Sequence, residues 1–288
     1  DIRNEYNIKG RIISSFLSLP FLKSVFNNQL KITKSLVEKL INYQQIIFEN
    51  SEKVKELVTK YKINNTTEFG CIQKFKLNQN FYSTHYLEMA NRVDNFSKFL
   101  DFHNFKSYFE IGGGFGTLGE IIFKSNITDF KYIDLDLPPM FLIAQEYLKS
   151  SIKKNELFFI DYFNEPEELD VENLPQISCL PNWYIKRLRG KIDLFVNFIS
   201  FQEMEPEIVE NYVNQVLQLK PRFVLLRNLR EGKQVSQNGS LGVMRPILKG
   251  DYISYFKGYT LLGSNVCPFG YETVDGFHSE LLVLEKDG

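Results

Sequence analysis

The chain has 288 residues, 43% of them hydrophobic and 24% charged, enough apolar mass for one sizeable α/β core with a smaller appendage. Its 34 basic and 35 acidic residues leave a formal charge of −1, so no broad field exists to hold nucleic acid or an anionic membrane surface. No apolar run reaches the roughly 18 residues of a spanning helix, and no signal peptide is evident, although a start at Asp1 leaves room for an upstream segment.

Cys71, Cys179 and Cys267 are widely spaced without a CxxC pair, which reads as free buried thiols in a reducing cytoplasm and gives no metal site. Along the chain, residues 1–75 read as a helical cap or oligomerisation region. Leu36, Val37, Leu40 and Ile41 share one helical face, and Val54, Leu57, Val58 and Tyr61 repeat the pattern. Residues 76–288 read as the catalytic domain. A helix over 87–100 leads into a first strand ending in Tyr108, Phe109 and Ile111. The following helix turns Leu118, Ile121, Ile122 and Phe123 inward. Strands are further expected at 130–136, 157–160, 192–198, 223–226, 259–262 and 279–285, with helices after Pro138 and Pro206 and near 251–256. Residues 164–189 read as an insertion or lid, and 230–246 as a mobile loop.

The turn after the first strand carries the most chemistry. Glu110, Gly112, Gly114 and Gly116 form an acid followed by alternating glycines, a backbone that accepts positive φ and lets a ligand approach without meeting a Cβ. Asp136 closes the second strand about 20 residues beyond Gly116, where a carboxylate can accept bonds from a ribose diol. Both a nicotinamide dinucleotide and S-adenosylmethionine suit such a crevice, and Gly114 to Gly119 also fits GxGxxG. Glu110 favours the second: an acid at the strand's carboxyl end can face a cationic donor, whereas the dinucleotide reading puts a charge inside a buried parallel strand.

On these residues the sequence resembles the class I S-adenosylmethionine-dependent methyltransferases. Glu110 to Leu118, with Asp136-Leu137-Pro138-Pro139 and Phe201-Gln202-Glu203-Met204, is similar more narrowly to bacterial sugar O-methyltransferases. The resemblance covers about residues 80–288. It implies a Rossmann-like seven-stranded sheet with the last strand antiparallel, S-adenosylmethionine as cofactor, and a sugar hydroxyl as acceptor, in surface polysaccharide biosynthesis. A nitrogen or another small-molecule acceptor is the alternative; an NAD-dependent oxidoreductase or a non-catalytic donor-binding subunit is further off.

Asp161, after the third strand, is expected on the adenine side of the donor, and Asn197, a polar residue late in the fourth strand, at its amino-acid end. Glu203 is the expected base, provided burial raises its pKa; the bland alternative is that it and Glu205 cap the next helix. His278 opens the last strand and can look into the acceptor pocket. Tyr82 and His85 lie in an aromatic lead-in that can fold over the donor, and Arg227 and Arg245 suit an acidic or phosphate-linked glycan.

Overall fold

The computed structural model describes residues 52–60, 74–77, 79–125, 127–152, 157–158, 167–236, 242–266 and 279–288. Of the expected N-terminal helices, α1 (Glu52–Lys60) is described; the stretch 36–41 lies outside the described residues. A short hairpin, β1 (Lys74–Leu77) and β2 (Asn80–Ser83), precedes α2 (Thr84–Ser97), whose first turn is capped by Ser83 accepting from the Tyr86 N–H.

The remaining elements alternate as expected. β3 (Ser107–Ile111), α3 (Thr117–Lys124), β4 (Lys131–Asp136), α4 (Met140–Ile152) and β5 (Leu157–Phe158) come first. The pair β6 (Leu169–Asp170) and β8 (Leu188–Arg189) forms a small parallel sheet around β7 (Ile177–Pro181) in the sequence. β9 (Leu194–Phe198), α5 (Pro206–Gln218), β10 (Phe223–Leu229), α6 (Lys249–Tyr255), β11 (Tyr259–Val266) and β12 (Ser279–Lys286) complete the described chain.

The large sheet runs β11-β12-β10-β9-β3-β4-β7-β5, and β12 lies antiparallel to both its neighbours while the other pairs are parallel. This is the Rossmann-like plan, with all seven expected strands present. Successive side chains leave opposite faces of a strand, so each face has its own core. Tyr108, Tyr132, Leu194 and Val196 pack with α2, α3 and α4 on one side; Phe109, Ile133, Phe195 and Leu226 pack with α5 and α6 on the other.

One expectation fails. In the stretch expected as an insertion or lid, the described residues 167–189 hold β7, all five residues buried, threaded into the main sheet between β4 and β5. A short run buried on both faces shows no period, and its flanking Pro and Asn residues read as loop. The loop after β10 is also more tied than its composition suggests. Val235 bridges Val243, and the Glu205 carboxylate accepts the N–H groups of Met244 (2.7 Å) and Arg245 (3.1 Å).

Candidate functional site

The carboxyl ends of β3, β4, β7, β9 and β10 meet at one edge, the place where an open α/β sheet holds its ligands. Between β3 and α3 the chain turns through Gly112 (φ 76°), Gly114 (φ 63°) and Gly116 (φ 74°), all left-handed. A Cβ on Gly112 would stand 2.3 Å from Ser200 Oγ, so the turn presses directly on the segment after β9. A Cβ on Gly114 would meet nothing within 4 Å; that glycine faces open space.

Aspartates fix the turn. Asp134 Oδ1 accepts the Gly113 N–H at 3.1 Å, and Asp136 Oδ2 accepts that of Gly114 at 3.0 Å. Asp136 Oδ1 takes the Leu137 N–H at 2.7 Å, which leaves each oxygen of this half-buried carboxylate with a lone pair for a ligand. Partial burial raises its pKa, and the two backbone bonds oppose that rise.

Glu110 is 1% exposed. Its Oε2 accepts from Tyr132 at 2.6 Å, and its Oε1 is buried without a partner. Burial pushes the carboxyl up to about 7 against the pull of Tyr132 and Arg92. An orphaned acceptor of this kind beneath an open glycine turn suits a ligand that brings a donor or a positive charge.

Helix α2 forms the wall above. Arg92 lies 5.5 Å from the Phe198 ring and 3.9 Å from Glu88, whose carboxyl burial raises and the charges of Arg92 and Arg227 lower. Arg227 is half-buried, with Nε out of solvent and without a partner. His85 faces Phe115 of the turn at 6.1 Å between ring centroids. His85 is exposed in part to solvent; the protein packed around it, and then the Arg92 charge, lower its pKa, so the imidazole is neutral at pH 7. Tyr82 differs from its expectation. It is fully buried against Tyr86 (5.5 Å), because β2 turns it into the core under α2, so it cannot touch a ligand.

Asn197 also sits behind the wall of the site. It is fully buried, and its amide is saturated by the chain: Nδ2 donates to Ile111 O (3.0 Å) and Ser200 Oγ (2.6 Å), while Oδ1 accepts from Phe201 N (3.2 Å) and Asn228 Nδ2 (3.3 Å). No capacity remains for a donor's amino-acid end. The burial on which a base role for Glu203 depended is absent. The residue closes a 3-10 turn (Ser200–Glu203) at the surface, 48% exposed in its side chain, and pairs with Lys233 at 2.7 Å. Glu203→Gln is expected to move the urea midpoint by the equivalent of less than ~1 kcal/mol, as for other surface pairs. Glu205 stands at the N-cap of α5, but its carboxylate holds the 244–245 backbone instead of the helix end. Arg245 is exposed and paired with Glu207. Asp161 and His278 lie outside the described residues.

Two residues join the edge that sequence reading passed over. Pro181 is the register partner of Asp136, and Trp183 follows two residues beyond that strand end; it is 46% exposed and meets Phe141 at 6.5 Å. Ser200 locks the turn through Ile111 O at 3.1 Å. The chain's single tryptophan was a signal for the first only by its rarity, and nothing local signals the second.

No known family matches the sequence, and no curated protein does. Solved structures with a similar course of chain include mitomycin 7-O-methyltransferase (TM-score 0.48, 14% identity, covering 71% of this chain and 55% of that one). Another is magnesium protoporphyrin IX methyltransferase from Synechocystis PCC 6803 with bound SAH (0.48, 12%, 70% and 84%). A third is N,N-8-amino-8-demethyl-D-riboflavin dimethyltransferase from Streptomyces davawensis (0.47, 12%, 70% and 56%). The chain thus spans about half the length of the first and third. At these values the likenesses decide nothing about activity, and the fold rests on the strand order itself. Among the described residues no group of acids, histidines or cysteines is arranged to hold a metal, and no helix is long and apolar enough to cross a membrane.

Proposed function

We propose that the protein transfers a methyl group from S-adenosylmethionine to a sugar hydroxyl. The observation that carries the donor half is the open glycine turn with an unpartnered buried acid below it and a part-satisfied carboxylate beside it. In this reading Asp136 accepts from the ribose diol and Gly114 gives the backbone room for close approach. Glu110 faces the cationic end, Asp161 keeps its assignment to the adenine side, and Trp183 adds an aromatic face beyond the β7 strand end. The donor supplies an already activated methyl on a sulfonium, so the protein's work is chiefly to hold donor and acceptor in line. His85, neutral at pH 7, presents a lone pair near the turn for an acceptor hydroxyl, and the half-buried Arg227 offers its guanidinium charge to an anionic group on the glycan. The sugar acceptor rests on the resemblance of the Asp-Leu-Pro-Pro and Phe-Gln-Glu-Met segments.

Calorimetry tests the donor half: S-adenosylmethionine and its demethylated product should bind, and NADH should not. Asp136→Ala is expected to weaken donor binding by about 1.5–3 kcal/mol, the range for bonds to a charged acceptor, with the fold retained. Binding of NADH alone would overturn the assignment. Comparing glycan mass with and without the protein tests the acceptor half.

A further inference from the structure

Where β9, β3, β4 and β7 run side by side, Val196, Glu110, Asp134 and Cys179 are successive register partners and form one row on the α2 face of the sheet. The two central carboxyls are 1% and 0% exposed, flanked by an apolar valine and a buried thiol. Each has one satisfied oxygen: Glu110 Oε2 by Tyr132, Asp134 Oδ1 by the Gly113 N–H. Each also has one orphan, Glu110 Oε1 and Asp134 Oδ2, both out of solvent and without a partner. Two adjacent carboxyls in such a place cannot both carry charge. Of the groups around them, Tyr132 and Asp136 on β4 and Cys179 on β7 bring no positive charge, and Arg92 on α2 divides its charge between Glu110 and Glu88.

We propose that Glu110 and Asp134 form a proton-sharing pair beneath the glycine turn, and that seating the cationic donor expels one proton from this pair to solvent. The second half rests on the donor reading above. Asp134 is a positioning residue in this scheme. Its retained proton satisfies Glu110 Oε1 while its other oxygen holds the Gly113 N–H, so the charge state under the sulfonium and the shape of the turn are set by one side chain.

The direction of both shifts agrees: burial raises each carboxyl, Glu110 to about 7 and Asp134 well above its usual range; the Glu110 charge raises Asp134 further, and that of Asp136 raises both. Above about pH 7 Glu110 is ionised before the donor arrives. Below it a proton must leave, so donor affinity should fall roughly tenfold per pH unit until the pKa of the complex is reached.

Titrating S-adenosylmethionine at pH 6 in two buffers of different ionisation enthalpy is expected to show release of close to one proton per donor bound. Asp134→Asn keeps an oxygen for Gly113 and gives Glu110 a permanent N–H donor. This variant should release none and bind with pH-independent affinity between pH 6 and 8. If it does not fold, Glu110→Gln should likewise abolish the release. Infrared spectra of the donor-free protein should show a carboxylic acid carbonyl band at pH 6 that Asp134→Asn removes. Buffer-independent heats in the wild type, or an unchanged pH dependence in Asp134→Asn, would overturn the proposal. Failure of the donor to bind while the band behaves as stated would refute the donor reading and the expulsion step, leaving the pair; a bound donor with no band would refute the pair.

Discussion

Replacing Asn197 with alanine is expected to cost about 3 kcal/mol or more of folding stability, the largest loss from any one polar side chain in the site. The amide ties four neighbours together: Ile111 O at the end of β3, Ser200 Oγ, the Phe201 N–H and the Asn228 amide of β10. Removing it leaves the Phe201 N–H and the Asn228 side-chain N–H unpaired, each worth about 1–3 kcal/mol in desolvation, while Ile111 O keeps the Ser200 hydroxyl. Against a typical total of about 5–15 kcal/mol, that is a substantial fraction. Gln202 and Asn228 would feel it next, since Gln202 N bonds Asn228 Oδ1 at 3.3 Å and Leu229 N bonds Gln202 Oε1 at 2.8 Å. Thermal and urea unfolding measure the loss. A change below ~1 kcal/mol would mean that water replaces the amide and that the network does not hold the strand ends together.

Gly112→Ala should be nearly as damaging, for steric reasons. Its φ of 76° costs an L-residue about 1–2 kcal/mol, and the new Cβ would lie 2.3 Å from Ser200 Oγ and 2.4 Å from Ser200 Cβ. The neighbour must shift, adding the 1–3 kcal/mol typical of overpacking, or roughly 2–5 kcal/mol in all. Ser200→Gly in the same chain removes the clash and should restore part of the loss, a coupling that a double-mutant cycle reads directly. Gly114→Ala makes the contrast. It has a similar φ but open space around it, so it should cost only the backbone strain in stability while weakening donor binding. Equal effects of the two alanines on stability would argue that the space over Gly114 is not a ligand's.

The local pattern carried much of the architecture. Seven strands and the helices between them were legible because an apolar run bounded by turn residues, or a 3.6-residue repeat, is written within one element. The glycine turn and Asp136 were legible for the same reason: positive φ and a strand-ending acid leave marks on neighbouring residues. Boundaries moved by a few residues, as with α2, which begins at Thr84 because Ser83 caps it.

What the chain's linear order left open depends on remote partners. β7 becomes a strand only because β4 and β5 offer it edges on both sides. Asn197 reads as a ligand contact until its four partners, two of them from other strands, fill its amide. Glu203 reads as a base until the turn that bears it faces solvent. Asp134 gave no signal at all, since an acid in a strand is unremarkable until the fold buries it beside Glu110. Burial and pairing are properties of the packed state, so the sequence could name the residues able to do chemistry, while only the tertiary arrangement decided which of them are charged, satisfied or free to meet a ligand.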